Sequence, residues 1–121
     1  KAMARARFTV ASYSIHLSRD FIYSSDRQNL LALIVCDGED GHTLFVCFMG
    51  PQSEMRDNEH DPQTKSARMY LPSEMYPWYV DMLRNEKPVY AMVDSDEPTR
   101  HRLYTGREPV GEEEYAPPAG G

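Results

Sequence analysis

A chain of 121 residues with 40% apolar and 11% aromatic side chains has the size of one domain. That much apolar surface offsets chain entropy, which excludes wholesale disorder. The formal charge of −6 opposes a broad phosphate-binding surface, because counterion release needs clustered Lys and Arg.

No window approaches eighteen consecutive apolar residues, so no membrane span is expected. Ala2 to Ser14 alternates with charged and polar groups, unlike a secretory leader. Residues 1–6 read as a flexible N-terminus, with Lys1 and Ala2 ahead of Met3 as vector residues. Residues 7–110 read as a single domain and 111–121 as a flexible acidic, Pro/Gly-rich tail.

Arg7 to Leu17 has strand composition, but its alternation changes phase: Phe8 and Val10 share one parity, Tyr13, Ile15 and Leu17 the other. A bulge near Ala11-Ser12 would return all five to one face and bend the strand. A turn at Ser18 to Asp20, a brief apolar patch at Phe21 to Tyr23 and a polar connector at Ser24 to Asn29 follow.

Leu30 to Cys36 and Leu44 to Met49 are nearly continuous apolar runs around Asp37-Gly38-Glu39-Asp40-Gly41, a hairpin turn signal. Continuous runs imply strands covered on both faces. One helix covers part of one face only, so a barrel-like wrap, a second layer or a partner subunit must cover the rest. The expected register sets Cys36 opposite His42 or Thr43, and Cys47 opposite Leu31 or Ala32. The sulfurs are then too far apart to bridge. Two buried thiols point to a reducing compartment, with the cytoplasm as default.

Residues 51–66 are polar, carry two prolines and show no period, the pattern of a long mobile loop. Arg68 to Leu71 resumes a short strand. Met75, Trp78, Tyr79, Met82 and Leu83 then recur at helical spacing, with Trp78 expected in the core. Pro77 lies too far inside a helix capped by Ser73, so either the helix starts later or Ser73 to Tyr76 forms a separate turn leading into Pro77. Val89 to Val93 and His101 to Thr105 read as the last two strands.

The expected fold is α+β and mainly antiparallel: a curved or barrel-like sheet with one amphipathic helix inserted before the last two strands. This order resembles the five-stranded oligonucleotide/oligosaccharide-binding barrel in element order alone, with no motif behind it.

No catalytic, cofactor or metal site emerges. Asp57, Glu59, His60 and Asp61 lack the spacing of a zinc site and the glycine of a calcium loop. Cys36 and Cys47 lie in the most apolar strands, where burial suppresses the thiolate. His16, His42, His60 and His101 are scattered, and Glu112 to Glu114 sit beside the tail.

Of the aromatics Tyr70, Tyr76, Trp78, Tyr79, Tyr90 and Tyr104, the expected interaction surface takes Tyr76 and Tyr79, together with Arg102 and Tyr104 of the last strand. The leading functional expectation is a small non-enzymatic binding or protein-interaction domain, a homodimer or accessory subunit, using the hairpin face away from the helix. The alternative is single-stranded nucleic-acid binding through Arg5, Arg7, Arg102 and tyrosines. A third is a pocket or enzyme with His16 or His101 beside an acidic residue.

Overall fold

In a computed structural model of the chain, residues 5–17, 30–51, 54–107 and 110 are described. The expectations for the first four residues, for 18–29 and for the tail from 111 lie outside the described residues.

Strand β1 (Arg5–His16) explains its own phase change. Arg5 to Thr9 pairs antiparallel with β6 (Val89–Asp94), whereas Val10 to His16 pairs antiparallel with β2 (Leu30–Gly38). The register slips between Val10 and Ser12, which is the expected bulge. It turns Phe8, Val10, Tyr13 and Ile15 into one core, while Leu17 beyond the strand is 67% exposed.

Among the described residues seven strands form one curled sheet, side by side in the order β4 (Glu59–Asp61), β5 (Ser66–Pro72), β3 (Thr43–Met49), β2, β1, β6 and β7 (Arg102–Thr105). Strand β3 (Thr43–Met49) returns antiparallel from β2. Strand β5 (Ser66–Pro72) pairs with β3 in parallel, and β7 (Arg102–Thr105) closes the far edge against β6. The segment expected to run as a loop over 51–66 carries β4 (Glu59–Asp61), paired with β5, and a turn at 62–65. Three polar residues show no periodicity, so a strand this short leaves no sequence trace.

The hairpin register lies one to two residues from the expected one: Cys36 faces Leu44 and Cys47 faces Leu33. Both thiols are buried, and they lie in the clusters on opposite faces of the sheet, so no disulfide joins them. Burial, aided by Asp37, pushes Cys36 up to about 12, which keeps it a thiol.

Helix α1 (Tyr76–Asn85) follows a single 3-10 turn at Ser73–Met75, with Pro77 in its first turn. The later start relieves the conflict Pro77 posed, since its missing N–H falls where no intrahelical partner exists. The N-cap positions fall on Pro72 for the turn and Met75 for the helix, not on Ser73, and neither makes a side-chain capping bond. Tyr76, Tyr79, Val80 and Leu83 form the stripe that packs on the sheet, flanked by Met75 and Met82. Trp78 falls one residue off this stripe and is 71% exposed, a correction to its expected core position. Tyr76 and Tyr79 take the inward role, set edge-on to Phe48 at ring distances of 5.2 and 5.7 Å.

The curl brings the inward side chains of β6 and β7 (Val89, Ala91, Val93, Leu103) into one cluster with those of β2, β3 and β5. The barrel-like wrap and the helix therefore close the same face of the hairpin. The other face of β2, β3 and β5 carries a separate, smaller cluster.

Candidate functional site

Three surfaces concentrate chemistry. The first is the hairpin face turned away from the helix. Parity puts Leu33 and Phe45 on this face beside Cys47 and Met49, and the register slip between Leu30 and Ala32 adds Leu30. Tyr70 joins from β5, opposite Cys47. These residues floor a half-open groove of about 540 Å³ rimmed by Arg56, Glu59 and Arg68, a volume in the range of ligand pockets.

Both arginines lie over aromatic rings. Arg68 Cζ is 5.0 Å from the Phe45 ring centre, and Arg56 Cζ is 5.7 Å from that of Tyr70. Stacking orients a guanidinium while leaving its edge able to meet a carboxylate. Burial chiefly holds the Tyr70 hydroxyl above its usual range, so it is a neutral donor at the groove wall. The groove offers an apolar floor beside cationic donors, the arrangement for an apolar group that carries an anion.

The second surface lies on the outside of β1, β6 and β7. Tyr90 pairs with Tyr104 and Thr9, and in the next row Met92 pairs with Arg7 and Arg102. Arg102 and Tyr104, named from sequence, thus meet here. Tyr76 and Tyr79, named with them, pack against Phe48 on the other face of the sheet. The four residues form two separate groups.

The third feature had no local sequence motif. His42, His60 and His101 line up at one end of the core, with ring centres 5.5 and 6.4 Å apart, and Phe8 stacks on His42 at 4.9 Å. Parity was the available signal. His42 precedes Leu44 by two residues and His101 precedes Leu103 by two, so both face inward; His60 pairs with Ala67.

His42 Nδ1 lies 2.9 Å from Asp40 Oδ2, and its backbone N–H donates to Asp40 Oδ1. Desolvation opposes the Asp40 charge, but these bonds prevail and hold its carboxyl below the usual range. His42 Nε2 reaches His60 Nε2 at 3.4 Å.

His101 closes the curl. Its Nδ1 accepts from the Asp94 N–H, which requires Nε2 to carry the proton, and Nε2 donates to the Glu59 carbonyl at 2.8 Å. Asn58 makes a second link across the same seam, donating to the Pro98 carbonyl while accepting from the Tyr70 N–H. Among the described residues no group of three or more His, Cys, Asp or Glu side chains is placed to hold a metal ion. His16 stands apart at the exposed end of β1, bonded to Ser14.

This seam predicts a pH dependence. Burial keeps His101 below its ordinary value of 6.5, against the opposing pull of the Glu59 carbonyl and Asp94. Below about pH 6.5 the unfolded chain takes up a proton that the folded chain resists, so stability is constant above that value and falls as pH drops through it. Asp40 and Asp94, lowered from 3.8, lose their contribution only at more acid pH. Urea midpoints measured between pH 7.5 and 5 are expected to fall for the native chain. His101→Gln starts about 1 kcal/mol less stable and has a flatter profile over that range.

No helix among the described residues is long and apolar enough to cross a membrane. Comparison of the chain with protein-family models, with curated proteins and with solved structures finds no match.

Proposed function

We propose that the protein is a small non-enzymatic interaction domain whose docking surface is the groove on β2, β3 and β5, and that its partner is a second copy of this chain. One observation carries the reading: on the sheet face that neither the helix nor the curl closes, Leu33, Phe45 and Tyr70 stay partly exposed above the buried Leu30, Cys47 and Met49, and two arginines stacked on aromatic rings border them. Buried centres of aromatic and Arg residues dominate the energetics of protein interfaces. A chain of net charge −6 also presents carboxylates in surplus, with which Arg68 of the rim pairs across an interface. Two buried thiols outside any disulfide fit assembly in a reducing compartment, for which we propose the cytoplasm.

Size-exclusion chromatography with light scattering tests this. The expected mass at micromolar concentration is twice the 13.9 kDa chain. Arg68→Glu and Phe45→Asp are expected to weaken association by about 2 kcal/mol or more, the scale of a hot-spot residue, leaving a folded monomer. A native chain that stays monomeric at about 50 µM, where a Kd of about 1 µM would leave mostly dimer, removes the second copy as partner.

A further inference from the structure

We propose that the outer face of β1, β6 and β7 is a binding surface for single-stranded nucleic acid, with Tyr90 and Tyr104 as base-stacking rings and Arg7 and Arg102 as the phosphate contacts. The surface is distinct from the groove, and its failure leaves the dimer reading untouched.

Strand alternation builds it. Val89, Ala91, Val93 and Leu103 point into the core, so Tyr90, Arg102 and Tyr104 take the outer face with Arg7, while Met92 in the row of the two arginines is itself buried. The two tyrosine rings are cross-strand neighbours, 5.5 Å apart and inclined by 37°. Arg7 Cζ lies 4.9 Å from the Tyr90 ring centre and 5.8 Å from that of Tyr104, and Arg102 Cζ lies 6.0 Å from Tyr104. The result is one continuous surface of guanidinium and phenol planes, and both kinds of plane stack on bases.

Charge separates this face from the rest of an acidic chain. Arg5 is engaged by Asp94 at 3.6 Å, and Arg100 by Glu97 at 2.9 Å. The Asp94 carboxylate also accepts from the Asp96 and Glu97 N–H groups, which further spreads its charge. Arg7 and Arg102 have no carboxylate partner among the described residues, and both are exposed. Gly106 beside Tyr90 presents no side chain over the ring edge; a Cβ there would lie 3.7 Å from Tyr90 Cε2. Two unneutralised guanidinium groups fit two phosphates, which matches a short strand and not the long backbone of a duplex.

The test is fluorescence anisotropy of labelled dT12 and rU12, with a duplex of the same length and poly-L-glutamate as competitors. Saturable binding to both single strands at low salt is expected. The slope of log K on log salt should be about −1.4, from roughly 0.7 per phosphate for two phosphates. Tyr90→Leu and Tyr104→Leu should each weaken binding about five-fold or more, the loss of one stacked base, and Tyr104→Phe should retain it. Arg7→Glu with Arg102→Glu should abolish it, with circular dichroism confirming that each variant is folded.

The proposal is overturned if the native chain binds neither strand at low salt. Equal competition by poly-L-glutamate or by duplex would also overturn it, and would leave the face as a nonspecific cationic patch. Binding that survives both tyrosine-to-leucine changes has the same force, because stacking is then not its basis.

Discussion

Phe48→Ala is expected to cost about 3–5 kcal/mol of folding stability, the usual range for removing a buried Phe. Phe48 has no exposed surface and meets both inward tyrosines of the helix, so it joins sheet to helix at one point. The cavity cannot collapse easily, since Tyr76 and Tyr79 approach it edge-on from a helix whose first turn is fixed by Pro77. Urea unfolding followed by circular dichroism measures the loss. Phe45→Ala is the control on the opposite face of the same strand. Phe45 is half-buried in the groove, and its truncation should cost only about 1 kcal/mol on apolar area. Equal losses at the two positions would mean that the groove floor is as closed as the core.

Gly38→Val is expected to destabilise by about 1–3 kcal/mol through overpacking. Gly38 ends β2 opposite Val10, where the β1 bulge begins, and its N–H donates to the His42 carbonyl at 2.7 Å. A Cβ at this position collides with Phe8 Cδ2 and lies 3.0 Å from both Phe8 Cε2 and Asp40 Oδ1. Phe8 cannot yield freely, because its other contacts include the His42 ring stacked at 4.9 Å. The expected signature is therefore double: a lower urea midpoint, and a displaced His42 imidazole resonance reporting the shifted file. Gly106→Ala, where the new Cβ makes only an ordinary contact, should leave the urea midpoint unchanged within about 0.5 kcal/mol.

Much of the fold was legible because it follows from period and punctuation. The parity change in β1 announced a bulge, and the continuous runs of β2 and β3 announced two apolar faces. Pro77 announced either a later helix start or a separate turn before it, and the chain has a turn at Ser73–Met75 and a helix from Tyr76. Where the reading failed, the competing effect is identifiable. Spacing alone places Trp78 inward, yet the stripe that packs is centred on Tyr76, Tyr79, Val80 and Leu83. Hydrophobic spacing allows neighbouring phases around a helix, and only contact with Phe48 selects one. Strand β4 was missed because three polar residues paired at an edge carry no apolar period.

The functional surfaces divide in the same way. The groove floor lies on strands singled out from the apolar runs, but its rim comes from Arg56, Glu59 and Arg68, whose grouping depends on how the chain from β3 to β5 returns. Arg102 and Tyr104 were recognisable as a pair at i, i+2 on one strand face. Their joining with Tyr90 and Arg7 required β7, β6 and β1 to pair in a definite register. The histidine file is the furthest from the sequence, since His42, His60 and His101 converge from three separate strand ends.

The local properties of this protein follow from its sequence: which of the longer segments are strands, where the first one bends, where the helix can begin and that the central hairpin is apolar on both sides. These depend on side-chain period and backbone sterics within a few residues. The tertiary structure decided what meets what: which hairpin face the helix and curl close, which arginines border the open one, and which histidines seal the end of the sheet. Those outcomes depend on strand order and register between distant segments, including the parallel pairing of β3 with β5, and no spacing within a single segment encodes them.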